Sequence, residues 1–174
     1  MERLPKGAGF ERPGEAAATA FWHDAIYRIG ASDNEEASAR LAVEALDELG
    51  FDRDGRERVA SAIRATATHE ATGVRDVDLF LDLDMAVLGD DPEGYALYRD
   101  ALLAEYVPAI PLASYAMGRI ALFIDPTLAR ERIFLTAAFA DREAQSRENL
   151  GAERAWLEAT ARGQGEPDAR ASAR

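Results

Sequence analysis

Cysteine is absent from the 174 residues, which excludes disulfides, thiolate nucleophiles and thiolate zinc sites. Histidine is nearly absent: His23 and His69 are the only two. No stretch approaches the ~20 apolar residues that a membrane-spanning helix needs. The start, MERLPKGAGF, lacks the apolar region of a signal peptide. Positive charge is also scarce. Lys and Arg number 20 against 32 Asp and Glu, a net charge of -12 that no basic patch offsets. That balance argues against nucleic-acid polymers and membranes as partners. It leaves a small anionic substrate open, because a bound divalent cation inverts the local field. What is present is ordinary for a globular chain: 48% hydrophobic and 30% charged residues, enough for one core. A cytoplasmic protein is expected, with one domain over residues 1–162. The small, polar, Pro/Gly-containing stretch 163–174 is expected to be a disordered tail.

The periodicity is helical throughout, and no strand-turn-strand pattern interrupts it. A first helix is predicted from Gly14 to Ile29, closed by Gly30. Ser32 and Glu35 are spaced as a capping box for a second helix that ends at Gly50. Asp52 or Asp54 starts a third, with Val59, Ile63 and Thr66 on one face, ending near His69. Asp76 can cap a fourth, stopped by Gly89. Asp91-Pro92 pairs a cap with a proline at the first helical position. A further helix spans Leu112 to Ile124. Asp125-Pro126 repeats the cap-plus-proline start for a run through Ile133, Leu135 and Phe139. The last helix covers Asp141 to Ala161. Phe21, Trp22, Tyr95 and Tyr98 are expected in the core.

Three places could carry chemistry. His23-Asp24 lies in the apolar segment AFWHDAIY, where imidazole and carboxylate are costly unless paired or bound to a metal. The dyad is either an ion pair or two ligands. His69 ends a helix. Asp82 and Asp84 stand in LFLDLDMAVLG, so apolar that at least one carboxylate must turn inward and find a partner. Nitrogen and oxygen donors without sulfur suit Mn, Mg, Fe, Co or Zn. Arg119, after a glycine in a helix, could meet a phosphate or a carboxylate such as Glu105.

Taken in order, FWHDAIY, DNEEASA, IRATATH, FLDLDMAVLG, YALYRDALLAEY and GRIALFID resemble the HD superfamily of metal-dependent phosphohydrolases, in its predicted HD phosphohydrolase branch. RIFLTAAF and ENL extend the resemblance, which covers about residues 14 to 157. It implies an all-α, HD-domain-like helical bundle. It implies a divalent metal ion held by His23, Asp24 and Asp84, with Asp84 preferred to Asp82 as the last ligand. His69, Asp82 or Glu35 would orient water or protonate the leaving oxygen, and Arg119 would bind substrate. The substrate would be a small phosphate ester, a nucleotide among the candidates. One element departs from the pattern. The superfamily carries a further histidine on a helix before HD, and no histidine precedes His23 here. The bundle is therefore expected to be N-terminally truncated, with apolar surface that could drive homodimerisation. A catalytically inactive helical module that binds a ligand or protein is the alternative expectation.

Overall fold

The computed structural model of the protein describes residue 5 and residues 8–162; the tail expected over 163–174 lies outside them. Among the described residues the fold is all-α, with short 3-10 and π segments and no strand. Its helices are α1 (Pro13–Trp22), α2 (Asn34–Glu48), α3 (Arg53–Ala65), α4 (Arg75–Asp84), α5 (Pro92–Tyr106), α6 (Leu112–Arg119), α7 (Asp125–Ala129) and α8 (Glu143–Ala161). The chain divides into two compact units. The first holds the described residues up to Met85 together with Leu135–Ala140. The second holds Ala86–Phe134 and the described residues from Asp141 onward.

In the first unit α1, α2 and α3 close on a core of Ala18, Ala39, Ala42, Leu46, Val59, Ala60 and Ile63. The alanines let the helices approach closely. Leu46, Val59 and Ile63 each contribute about 1.5–3 kcal/mol by leaving water. The predicted stripe of Val59, Ile63 and Thr66 is buried, and Asp52 caps α3 by accepting the Gly55 amide at 2.6 Å. Three local expectations fail here. The first helix stops at Trp22 and does not run on to Ile29. Side chains of α2 supply the reason. Ser38 Oγ accepts the Ile26 amide at 3.0 Å, and Asn34 Oδ1 accepts the Arg28 amide at 3.0 Å. These bonds replace the helical partners of the chain after residue 23. The Ser32–Glu35 capping box does not form. Asp33 is the N-cap of α2, and its carboxylate goes to Arg28 Nη2 at 2.7 Å. Asp76 does not cap its own helix either; it accepts the amides of Glu11 and Arg12, at 2.9 and 2.8 Å, where the chain enters α1.

In the second unit Asp91 caps α5 as predicted, accepting the Gly94 amide at 2.8 Å. The predicted Leu112–Ile124 helix is α up to Arg119 and π over Ile120–Ile124. The helix expected from Asp125 through Phe139 ends at Ala129. The Glu143 carboxylate takes the amides of Ile133 and Phe134 at 3.0 and 3.2 Å, in place of helix carbonyls. Gly89 ends a 3-10 turn, and close approach is what requires glycine there: a Cβ would stand 2.5 Å from Arg142 Cβ. Tyr95 is buried as expected. In the first unit Trp22 packs against the core, but Phe21 is 74% exposed, because α1 turns that position outward.

Candidate functional site

His23, His69 and Asp84 come together in the first unit from three separate stretches of chain. His23 is the C-cap residue of α1, Asp84 is the last residue of α4, and His69 follows α3 by four positions. His69 Nε2 lies 2.9 Å from Asp84 Oδ2, and His23 Nε2 lies 3.4 Å from Asp84 Oδ1. The Asp24 carboxylate is 3.4 Å from His23 Nε2 and largely exposed. His69 is the only described non-glycine residue with positive φ, at 50°. That left-handed turn, closed by its amide on the Ala65 carbonyl at 3.0 Å, aims the ring back at Asp84.

Each side chain is oriented by something behind it. His23 Nδ1 lies 3.1 Å from the Ala20 carbonyl, so Nδ1–H donates and Nε2 faces the carboxylates. The Phe80 ring meets the His23 ring edge-on, with centroids 5.7 Å apart. Asn34 and Ser38, described above, fasten the segment that follows the dyad. Sequence reasoning read DNEEASA as a helix start and as one segment of the resemblance, and missed these two. Their signal is two neutral polar residues, four apart, on the inward face of an amphipathic helix.

The electrostatics favour positive charge here. The hydrogen bond with Asp84 outweighs burial, and with the charges of Asp84 and Asp24 it pushes the His23 imidazole up to about 9. Burial works against the Asp84 anion, yet the two histidines hold its carboxyl well below the usual carboxylate range. Helix C-termini carry partial negative charge, and three of them end at or near this group.

The donor set fits a divalent ion by type: two imidazole nitrogens, one carboxylate between them, and a second carboxylate at the open side. The His23–Ala20 bond is the orientation that metal-ligating histidines adopt. The side chains nevertheless pair with one another, and among the described residues no group of three or more His, Asp or Glu is set to hold an ion. The set fits in chemistry and is not a preformed cage.

The other candidates lie elsewhere. Asp82 is 1% exposed. Its oxygens accept the Leu135 amide at 2.6 Å, the Thr136 amide at 2.7 Å and the Thr136 hydroxyl at 2.5 Å. Burial pushes its carboxyl up against those bonds. It is a tether for the returning chain, buried away from water. Glu35 is half-buried in the first turn of α2 and does not figure among the groups that set the charge state of His23 or Asp84. Arg119 belongs to the second unit. Its carboxylate partner is Glu153, at 3.2 Å, and not Glu105. The chain matches no family model, no curated protein and no solved structure.

Proposed function

We propose that the chain is a divalent-cation-dependent phosphohydrolase of a small phosphate ester, with nucleotides among the candidate substrates. The observation that carries this reading is the convergence of both histidines of the chain on one carboxylate, Asp84. His23 and Asp84, with Asp24 at the exposed side, would hold the ion. A divalent ion there supplies an acidified water and a Lewis-acid contact to a phosphoryl oxygen. The residues of the chain do the rest. Ala20 fixes the His23 ring, so that Nε2 stays aimed at the site. Asp84 bridges the two imidazoles and keeps both in register. His69 would be the proton donor for the leaving oxygen, its ring oriented by the bond between Nε2 and Asp84. The histidines and Asp84 are about one-fifth to one-quarter exposed, open enough to admit a phosphoryl group.

The test is metal analysis after loading with Mn2+ and desalting, together with hydrolysis of p-nitrophenyl phosphate. About one ion per chain and chelator-sensitive turnover, both lost in His23→Ala and Asp84→Asn, are expected. No retained ion, with turnover indifferent to either substitution, would sink the reading. A second reading is favoured by the mutual pairing of these side chains: a non-catalytic helical module in which the group is structural. It requires both substitutions to lower stability while background hydrolysis stays unchanged.

A further inference from the structure

We propose that the cleft between α1, α3 and α4 receives the organic group of the substrate, and that this group is apolar with a cationic end. This inference rests on the phosphohydrolase reading for the word substrate; the cleft and its chemistry stand apart from it. The cleft encloses about 420 Å³, within the range of small-molecule sites. Its floor is apolar, made by Ala16, Val59, Ala62, Val77 and Phe80.

Helical spacing joins the cleft to the histidine–aspartate group. On α1, Ala16 and Thr19 line the cleft and His23 is the next position on that stripe. On α4, Val77 and Phe80 line it and Asp84 follows. The α1 and α4 stripes therefore run on into His23 and Asp84, and Phe80 borders both the cleft and the His23 ring. Seven residues separate Ala16 from His23, about 10 Å along the helix. A phosphoryl group at the histidines would let a chain or ring of that length lie along the floor.

The rim sets the charge of the occupant. Glu15, Asp54, Glu57 and Asp76 line it against only Arg12 and Arg58. Arg58 is committed to Glu15 through bonds of 2.8 and 2.6 Å. Asp76 is committed to the Glu11 and Arg12 amides and to Arg75 at 3.2 Å, and Glu57 lies 3.6 Å from Arg64, so Asp54 is the rim carboxylate most open to an incoming cation. The Asp54 carboxylate disfavours a second phosphate and attracts an ammonium at the end far from the histidines. A phosphomonoester of an apolar amino alcohol fits this cleft, and a nucleoside di- or triphosphate does not.

The experiment uses three probes with the same six-carbon tail: hexylammonium, 1-hexanol and hexanoate. Binding to the full chain is followed in chelator by calorimetry and by amide chemical shifts. Hexylammonium is expected to bind at least about tenfold more tightly than hexanoate, with shifts confined to the cleft residues of α1, α3 and α4. Asp54→Asn should bring hexylammonium close to hexanol, and Ala62→Phe should abolish binding by filling the floor. Asp54 is exposed in the first turn of α3, so its variant carries the test should Ala62→Phe fail to fold. Hexanoate binding as well as hexylammonium, shifts elsewhere, or indifference to Asp54→Asn would overturn the proposal. Neither ion nor turnover enters these measurements. A chain that prefers hexylammonium but hydrolyses nothing would remove the phosphohydrolase reading and support the cleft assignment. A chain that hydrolyses p-nitrophenyl phosphate without the cationic preference would do the reverse.

Discussion

Each unit of the molecule holds a cation against a carboxylate, and the two arrangements differ in what they can release. In the first unit Asp84 stands between two imidazoles, with its side chain 28% exposed. In the second unit Glu153, with a side chain 1% exposed, accepts from the Tyr95 hydroxyl and pairs with the Arg119 guanidinium. Arg119 also lies over the Phe123 ring, 4.1 Å from its centroid. A guanidinium cannot shed its charge, so that pair is committed to structure. An imidazole can trade a proton for another cation. The same ion-pair logic gives a fixed joint in one unit and an exchangeable group in the other.

The largest effect should come from breaking the fixed joint. Glu153→Ala leaves Arg119 buried and charged without its carboxylate, and should cost about 3–5 kcal/mol. Asp84→Asn should cost less, about 2–3 kcal/mol, because the His23 imidazole loses its carboxylate but can shed its charge, while hydrolysis is lost. Urea unfolding of both variants beside the phosphatase assay checks this. Equal losses of stability would erase the distinction between the two regions.

Proton linkage sharpens the same contrast. The His23 imidazole rises in the folded state from 6.5 to about 9. Its contribution is thus fully present below about pH 6.5 and is lost as pH rises through about 9. For a side chain one-fifth exposed the loss should be about 2–3 kcal/mol. Chelator-treated protein should therefore unfold at a lower urea concentration at about pH 10 than at about pH 6, and His23→Ala should flatten that difference. Arg119 stays charged across the window and contributes nothing to it. A wild-type slope that survives His23→Ala would place the titration elsewhere.

Much of this was legible in the sequence, for reasons that separate local from distant effects. Helix starts with a capping carboxylate and nearby glycine, Asp52 and Asp91, are formed as predicted, because the cap and its amide lie within three residues. Asp76, with Leu79 where those caps have glycine, does not cap its helix; the amides of Glu11 and Arg12, some 65 positions away, claim it. The two acids of LFLDLD show the same division. That one turns inward followed from the apolar surroundings. That Asp82 would serve the Leu135 and Thr136 amides could not, since those amides are freed only because α7 ends at Ala129. That His69 would lie near His23 and Asp84 was implied by the resemblance and not by the residues alone. The end of α1 at Trp22, which makes His23 a cap and not an interior helical residue, was hidden in Asn34 and Ser38 of the next helix.

The smallest expected effect isolates how the exchangeable group is aimed. His69 holds φ at 50°, a conformation that costs an L residue other than glycine about 1 kcal/mol or more. His69→Ala and His69→Gly both remove the bond with Asp84, but glycine alone relieves the backbone. Glycine also carries an unfolded-state entropy cost, which opposes the relief. The glycine variant should still be the more stable of the two, by roughly 0.5–1 kcal/mol, as read from urea midpoints. Both should lose hydrolysis equally if the imidazole is the proton donor. A glycine variant less stable than the alanine variant would mean that the turn at residue 69 carries no strain. The position of the ring would then have to be credited to Asp84 alone.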